Sequence, residues 1–534
     1  MPIALSDDPG SSLDWKPNEH PITFLGQRIM AGGWRSHRIA AFASLQKRLP
    51  LFHYRLTFGE VFLWAPLFIL VVVVSALAGC DASGSLATFP FALAFMLASR
   101  NSIFTFLLGI PFERALAYHK ACAYLAVISG LLHGLIGCAN EDDEGDGSDD
   151  GDEGNTISGL AICAAMAALI VTSAGPVRRQ AYEIFKFLHW PLFIMAAGFG
   201  LVHGAGGVML GLVLFLIDMV IRKAYMARSY AHKATITCLP ADVVRVVWER
   251  KPGNFNYRGG QYIFLCIPEL SIFEWHPFSL SSSPQDPLIC VHARVLGDWT
   301  SRLQQLAGGS VGSPPKEVRI FLEGPYGEPA VDLNGDRYKS VVLISGGIGI
   351  TPMQSIANSL IDEFQRGRSI GRIWFIWSVA DRYMLEAMHD TGASEESFPS
   401  LPIAAKHAPK SFQPFMLKHM GSFDRSSSAS IDAPDRTVED VLCTEFYLTR
   451  VREDEGEQAL AGINVDLFPH LLYGRPNLPQ IMTDIKADLS ARGEQRVAVC
   501  VCGPQGMISD TRGLCGSMTD DKVSFDFHGE TFNF

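Results

Sequence analysis

The sequence predicts a multidomain membrane protein, with a bundle of six transmembrane helices followed by a soluble β-rich segment and an α/β region. Two observations carry this. Six apolar stretches fall in the first 225 residues, at about 60–79, 88–109, 116–138, 157–175, 183–203 and 206–222. Each is close to the ~20 residues that cross about 30 Å of hydrocarbon. From about residue 230 the character changes to short β-rich runs such as Tyr262–Ile267 and Val341–Ser345, broken by Gly/Pro turns and helical stretches. With 48% hydrophobic and only 19% charged residues, composition tilts toward the membrane class as well.

Flanking bases orient the bundle. Lys47, Arg48 and Arg55 precede the first stretch, and Arg114 lies between the second and third. Arg178 and Arg179 lie between the fourth and fifth, and Arg222 and Lys223 follow the sixth. All fall on one side if the N-terminus is cytoplasmic, which puts the C-terminal half inside as well. The polar segment Met1–Asn18 lacks the pattern of a cleavable signal peptide, so insertion is expected to use the internal spans.

The net charge of −11 is local, because residues 141–153 hold nine carboxylates and no base. No basic field with interleaved aromatics remains for nucleic acid. Asp146–Gly151 begins like a calcium loop, but the twelfth position is Ile157 rather than Glu, which favours a solvated linker. The eleven cysteines show no zinc spacing and no dense disulfide framework. Cys80 and Cys138 fall at the external ends of spans, where a bridge is permitted.

His119 and His133 lie in the third stretch and His189 and His203 in the fifth, each pair 14 residues apart. Fourteen helical steps return a side chain to within about 40° of its starting face, ~21 Å along the axis. Two parallel helices then offer two facing His–His pairs, the arrangement that bis-imidazole ligation of two stacked haems requires. A single histidine within the membrane often satisfies only local hydrogen bonds, but two matched pairs point to function. Groups ~21 Å apart do not share one zinc ion. Arg100, placed by hydropathy in the middle of the second stretch, needs a partner at that depth, and a haem propionate is a natural one.

In the soluble half, an ordered series runs Gly259-Gly260-Gln261-Tyr262, His276-Pro277-Phe278-Ser279-Leu280, Val291-His292-Ala293-Arg294, Gly297-Asp298-Trp299-Thr300 and Glu323–Gly327. A flavin site needs an aromatic or proline wall, a hydroxyl near the reactive nitrogen and a base for the pyrophosphate. Pro277 and Phe278, Ser279 and Arg294 supply these. The apolar run Val341–Ser345 leads into Gly346-Gly347-Ile348-Gly349-Ile350-Thr351-Pro352, a strand, turn and helix start suited to a phosphate group. Val499–Cys502 with Gly503-Pro504 reads as a second strand and turn of the same sheet, placing Cys502 at the strand edge where α/β sheets bind ligands.

Taken together, these motifs resemble the superfamily of ferric-chelate reductases and NADPH oxidases over about residues 57–534, and look closer to the ferric reductases. The resemblance rests on the HPFSL, GDWT, GGIGITP, GRPN (Gly474–Asn477) and CGP strings in this order. It implies a six-transmembrane α-helical haem bundle, an FAD-binding antiparallel β-barrel and an α/β nucleotide-binding domain. The expected boundaries are a cytoplasmic segment 1–56, a haem domain 57–225, the barrel 230–333 and an NAD(P)H domain 338–534, with 390–437 as a flexible insertion. It also implies hydride transfer to FAD, then single electrons to an inner haem (His119/His189) and an outer haem (His133/His203), with an acceptor across the membrane reduced last. Ser279, Cys502 and the terminal Phe534 would sit at the flavin and nicotinamide, Phe534 covering the flavin until nicotinamide displaces it. NADPH is expected from the family, with Arg382 or Arg475 standing in for the usual 2′-phosphate arginine, whose place Ala380 takes.

Four features favour ferric iron over oxygen as acceptor. Gly137 stands where oxidases usually carry a further histidine, the second histidine pair is spaced 14 apart, the loop Gly204–Val208 is short, and the acidic stretch suits a hard cation. Superoxide generation is the alternative. An ion transporter would leave the flavin strings unexplained, and an electron donor to a partner protein would turn over slowly with either acceptor alone. The expected location is an integral, multi-pass protein of the plasma membrane with both termini cytoplasmic.

Overall fold

The computed structural model describes residues 80–100, 112–141, 150–226, 231–250, 255–327, 337–389, 436–451 and 471–530, with 333 and scattered positions between 65 and 77. The chain divides between Tyr225 and Met226 into two compact units.

The first unit is helical. Helices α1 (Cys80–Ala98), α2 (Phe112–Glu141), α3 (Asp150–Ser173), the short α4 (Gly175–Gln180), α5 (Tyr182–Val202) and α6 (Val208–Val220) follow in order, and a π-helical turn, Ile221–Met226, ends the series. Among the described residues, three stretches are long and apolar enough to cross a membrane: Ala115–Leu135 in α2, Thr156–Ser173 in α3 and Ile184–Val202 in α5. Phe187, Leu135, Leu160 and Val202 are all exposed on these helices. Apolar side chains turned outward in this number suit a hydrocarbon surrounding. Inside the unit, Phe95, Ala197, Val208 and Phe215 form one core cluster. Gly211 of α6 lies so close to the Ala92 carbonyl of α1 that no Cβ fits between them, the small-residue contact by which membrane helices approach.

One expected span needs correction. The stretch 88–109 is displaced: α1 covers Cys80–Ala98, and Ser99–Arg100 form a turn. Arg100 therefore stands past the end of the helix, not at mid-span. The cause is local, since Ser99, Arg100, Asn101 and Ser102 are all polar, whereas the polar opening of α1 is stabilised by packing on α2. The last stretch gives α6, Val208–Val220, continued without a break by the π-helical turn Ile221–Met226. The first, 60–79, lies largely outside the described residues.

The second unit begins with six strands: β1 (Ala231–Leu239), β2 (Val243–Glu249), β3 (Tyr262–Cys266), β4 (His276–Ser279), β5 (Leu288–Arg294) and β6 (Lys316–Tyr326). They pair in the order β4-β3-β6-β1-β2-β5, all antiparallel. An isolated bridge from Leu280 to Val291, with Ser281 N–H donating to the Cys290 carbonyl, joins the two edges into a barrel. Ile236, Val246, Leu265, Val291 and Ile320 fill its core, the inward-facing half of each strand. Helix α7 (Asp298–Leu306) follows β5 and buries Trp299 and Leu303.

An all-parallel sheet follows, with the order β10-β9-β8-β7-β11-β12. Its strands are β7 (Ser340–Gly346), β8 (Ile373–Val379), β9 (Leu442–Leu448), β10 (Leu471–Tyr473), β11 (Arg496–Cys502) and β12 (Ser524–Glu530). Helices α8 (Ile350–Gln365), α9 (Arg382–His389), α10 (Val438–Val441), α11 (Leu478–Ala491) and α12 (Gln505–Met518) connect them. β7, β8, β9 and β11 are almost wholly buried and mostly apolar, as a sheet covered on both faces requires. Chain order runs outward from β7 through β8 to β10, then returns to β11 on the other side of β7. The topological switch point lies between β7 and β11, where such sheets bind ligands.

Candidate functional site

The four histidines each gain a defined partner at Nδ1. His119 Nδ1 lies 2.8 Å from the Ala94 carbonyl of α1, and His133 Nδ1 lies 3.1 Å from Ser83 Oγ on the same helix. His189 Nδ1 is 3.3 Å from Ser173 Oγ and His203 Nδ1 is 3.0 Å from Ser158 Oγ, both on α3. His203 is the C-cap residue of α5 rather than an interior one. The rings of His133 and His203 face each other with centroids 6.0 Å apart and planes at 77°. Two metal–imidazole bonds of about 2 Å, each extended by about 1.1 Å from Nε2 to ring centre, span roughly the same distance. The pair thus fits a bis-imidazole iron site. His119 lies within electrostatic range of His189, and Phe185 and Phe193 pack on the His189 ring at 5.1 and 6.3 Å.

Arg100 lies in the turn that follows α1. Its backbone N–H donates to Asp218 Oδ2 at 3.2 Å, and its guanidinium lies 5.7 Å from the Phe112 ring centre. Asp218 is buried and also accepts from Arg222 Nε at 2.9 Å, so this carboxylate ties the end of α1 to the end of α6.

At the barrel, the expected flavin residues gather on edge strand β4 and the end of β5. Pro277 and Phe278 are half-buried, while Ser279 and Leu280 are buried. Trp299 forms the platform behind them, its ring 4.4 Å from that of His276 and 5.7 Å from that of Phe278. The buried Trp299 indole N–H meets no acceptor among the described residues. Thr300 Oγ1 accepts from the backbone N–H groups of Leu296 and Gly297, so it caps α7. His292 is buried in the barrel with Nδ1 3.0 Å from Ser281 Oγ. Burial and the nearby Arg245 guanidinium push its pKa down to about 3, so it is a neutral framework residue at working pH. Arg294 is exposed at the end of β5, beside Gly347 of the nucleotide turn. The barrel docks on α8 through Ser283 Oγ–H to Asp362 Oδ2 at 2.5 Å and Ser355 Oγ–H to the Ser282 carbonyl at 2.7 Å.

The switch point brings the two glycine turns together. Gly347 has φ +56°, a conformation that favours glycine, and the Trp377 indole N–H holds its carbonyl at 2.9 Å. A Cβ on Gly349 would lie 2.8 Å from the Cys502 carbonyl carbon and 3.1 Å from its Sγ. A Cβ on Gly346 would lie 2.7 Å from Pro504 Cδ, and one on Gly503 would meet Gly346 N at 3.1 Å. Cys502 is buried at the end of β11, and the buried Thr351 donates to the Ile348 carbonyl beside Pro352, securing the start of α8. A nucleotide pyrophosphate fits over the α8 N-terminus, where glycines expose backbone N–H groups.

Two strands away, a cavity of about 420 Å³ is lined by Ala380, Asp381, Arg382, Tyr383, Arg450 and Val451. Arg382 Nη2 donates to Tyr383 Oη at 2.9 Å. Arg382, Arg450 and Arg475 follow the C-terminal ends of adjacent parallel strands β8, β9 and β10. Sequence reasoning missed Arg450, because its position at a neighbouring strand end appears only once β9 is aligned with β8. Phe534, the side chains of Cys80 and Cys138, residues 142–149 and residues 390–435 lie outside the described residues.

Residues 83–200 match the family described as a ferric reductase like transmembrane component. Residues 228–330 match an FAD-binding domain, and residues 338–401 and 403–516 match the ferric reductase NAD binding domain. Respiratory burst oxidase homolog protein B of Solanum tuberosum is 26% identical over 354 residues, covering 60% of this chain and 37% of its own. A superoxide-generating NADPH oxidase heavy chain of Dictyostelium discoideum is 27% identical over 487 residues, 79% of this chain and 63% of its own. Ferric reduction oxidase 7, chloroplastic, of Arabidopsis thaliana is 31% identical over 312 residues, 53% of this chain and 41% of its own. The chain thus spans between 37% and 63% of the length of these relatives.

Proposed function

The chain belongs to the ferric reductase and NADPH oxidase family, and from that premise we propose that it carries electrons from cytosolic NADPH across a membrane to a one-electron acceptor. The observation that carries the reading is the facing His133/His203 pair in a helical unit with an exposed apolar surface, in a chain whose other unit contains a parallel sheet with a topological switch point. Bound FAD supplies the conversion of a hydride into single electrons, and bound haem supplies their relay through hydrocarbon.

The chain's own residues do the rest. His119 with His189, and His133 with His203, hold iron through neutral imidazoles. Pro277 and Phe278 form the flavin wall, with Ser279 beside it and Arg294 for the pyrophosphate. The Gly346–Gly349 turn brings the nicotinamide nucleotide onto the start of α8, and Cys502 borders the nicotinamide. Arg382 and Arg450 take the 2′-phosphate, since paired guanidinium groups suit that dianion. The hydropathy and the flanking bases support six spans with both termini on the cytoplasmic side.

The preference for ferric iron drawn from the sequence does not carry over. The names of the relatives include a superoxide-generating NADPH oxidase, a respiratory burst oxidase homolog and a ferric reduction oxidase, and they do not favour iron over dioxygen. A sealed-vesicle assay separates the two, with NADPH on one side and acceptor on the other. Fe²⁺ captured by ferrozine in the presence of superoxide dismutase assigns ferric chelate. Dismutase-sensitive cytochrome c reduction assigns dioxygen. Absence of both signals across a sealed bilayer would refute the proposal.

A further inference from the structure

The two histidines of the facing pair are seated in the same way on two different helices. Ser83-Gly84 of α1 meets His133, and Ser158-Gly159 of α3 meets His203. In each case the serine hydroxyl reaches Nδ1, at 3.1 and 3.0 Å. In each case the following glycine leaves room for the ring: a Cβ on Gly84 would lie 3.0 Å from His133 Cε1, and one on Gly159 would lie 2.9 Å from His203 Cε1. Both serines are buried, Ser83 at 0% and Ser158 at 3% exposure. The repetition is independent, since the steps lie on separate helices that pack on different histidine helices. It also differs from the other pair, where His119 meets a backbone carbonyl and His189 meets Ser173, which is followed by Ala174 rather than glycine.

We infer that Ser83-Gly84 and Ser158-Gly159 are positioning elements that set the tautomer and ring plane of His133 and His203 for iron ligation, an inference resting on the reading of those histidines as haem ligands. An imidazole that ligates through Nε2 carries its proton on Nδ1, and that N–H must donate. Each serine oxygen accepts it. Acceptance at Nδ1 makes the ring a stronger donor to the metal, which favours the ferric state and lowers the potential. The glycine fixes the rotation, because a side chain at that position would push on Cε1, between the two nitrogens.

The test uses the full chain, purified with its haem, and three readouts: haem per chain, midpoint potentials from a redox titration, and the largest g value of the low-spin ferric signals. Ser83→Ala and Ser158→Ala are expected to keep two haems and raise one midpoint by about tenfold in the reduced-to-oxidised ratio, or roughly 59 mV for a one-electron couple. The second midpoint stays in place. Ser83→Thr and Ser158→Thr, which keep the hydroxyl, restore the wild-type value. Gly159→Ala shifts the largest g value, which reports the angle between the axial rings, and Ser173→Ala moves the other haem. Unchanged potentials and g values in the Ser83→Ala/Ser158→Ala double variant would overturn the inference while leaving the ligand reading intact. Equal haem loss in the Ala and Thr variants makes packing rather than the hydroxyl the cause, and overturns it too. A wild-type protein without low-spin haem overturns the ligand reading, and this inference with it.

Discussion

Gly349→Ala is expected to disable the nucleotide site without unfolding the protein. Gly349 needs no unusual backbone angle, with φ −62°, so the substitution carries no conformational strain of its own. The obstacle is contact. The new methyl would lie 2.8 Å from the Cys502 carbonyl carbon, against 3.4–4 Å for ordinary van der Waals contact. That neighbour is strand backbone, which cannot swing aside as a flexible side chain does. The turn must therefore withdraw from β11, opening the switch point where both glycine turns meet. Overpacking of this kind costs about 1–3 kcal/mol. If the strain falls on the binding-competent conformation, it raises KM for NADPH by about 5- to 150-fold. The assay is NADPH-dependent ferricyanide reduction by the full chain, with a thermal melt beside it. Gly506→Ala, where no atom lies within 4 Å of the new methyl, is the control and should behave as wild type. A Gly349→Ala protein with a wild-type melt and wild-type KM would refute the claim that the two turns close on the nucleotide.

Three further outcomes are expected. Arg382→Ala and Arg450→Ala should each raise KM for NADPH about 10- to 150-fold while leaving KM for NADH within about twofold, because a charge-assisted bond to phosphate contributes roughly 1.5–3 kcal/mol and only NADPH carries that phosphate; equal effects on both nucleotides would remove the 2′-phosphate assignment. Tyr338→Phe removes the buried O–H donated to Asp526 Oδ2 at 2.6 Å, leaving that carboxylate to Arg496 and the Ser524 hydroxyl; a loss of about 1–3 kcal/mol, seen as a Tm lower by several degrees, is expected, and an unchanged Tm would count against the bond. His292 gives a pH dependence of defined sign. Its folded pKa is about 3 against an ordinary 6.5, so between these values the unfolded chain binds the extra proton and stability falls as pH falls. His292→Gln should make the decline between pH 6.5 and 5 shallower, and an identical slope would place the titration elsewhere.

Much of the fold was legible because it is periodic. The 14-residue spacing of His119/His133 and His189/His203 encodes a helix face, and the structure brings His133 and His203 to 6.0 Å. The strand-turn-helix signals at Gly346–Gly349 and Cys502–Pro504 encode two strand ends, although nothing in the sequence shows that β7 and β11 are adjacent. What hydropathy missed, it missed by averaging. A window over 88–109 put Arg100 inside a span, whereas the polar run from Ser99 ends the helix at Ala98. Partners that meet only through tertiary packing were invisible. Ser83 is 50 residues from His133 and Ser158 is 45 from His203, so no local pattern joins them. Arg450 became a candidate only beside Arg382, across two strand ends. Thr300 carried a motif signal, and its local role is now explicit as the cap of α7.

The central claim, that facing histidine pairs hold two haems along one electron path, is tested most directly by haem content. The account predicts two low-spin b-type haems per chain in the wild type, both reduced by NADPH under anaerobic conditions. It predicts one haem in His133→Leu, with flavin reduction retained and reduction of the far-side acceptor abolished. A wild-type protein without haem, or a His133→Leu variant that keeps two haems and full turnover, would contradict it.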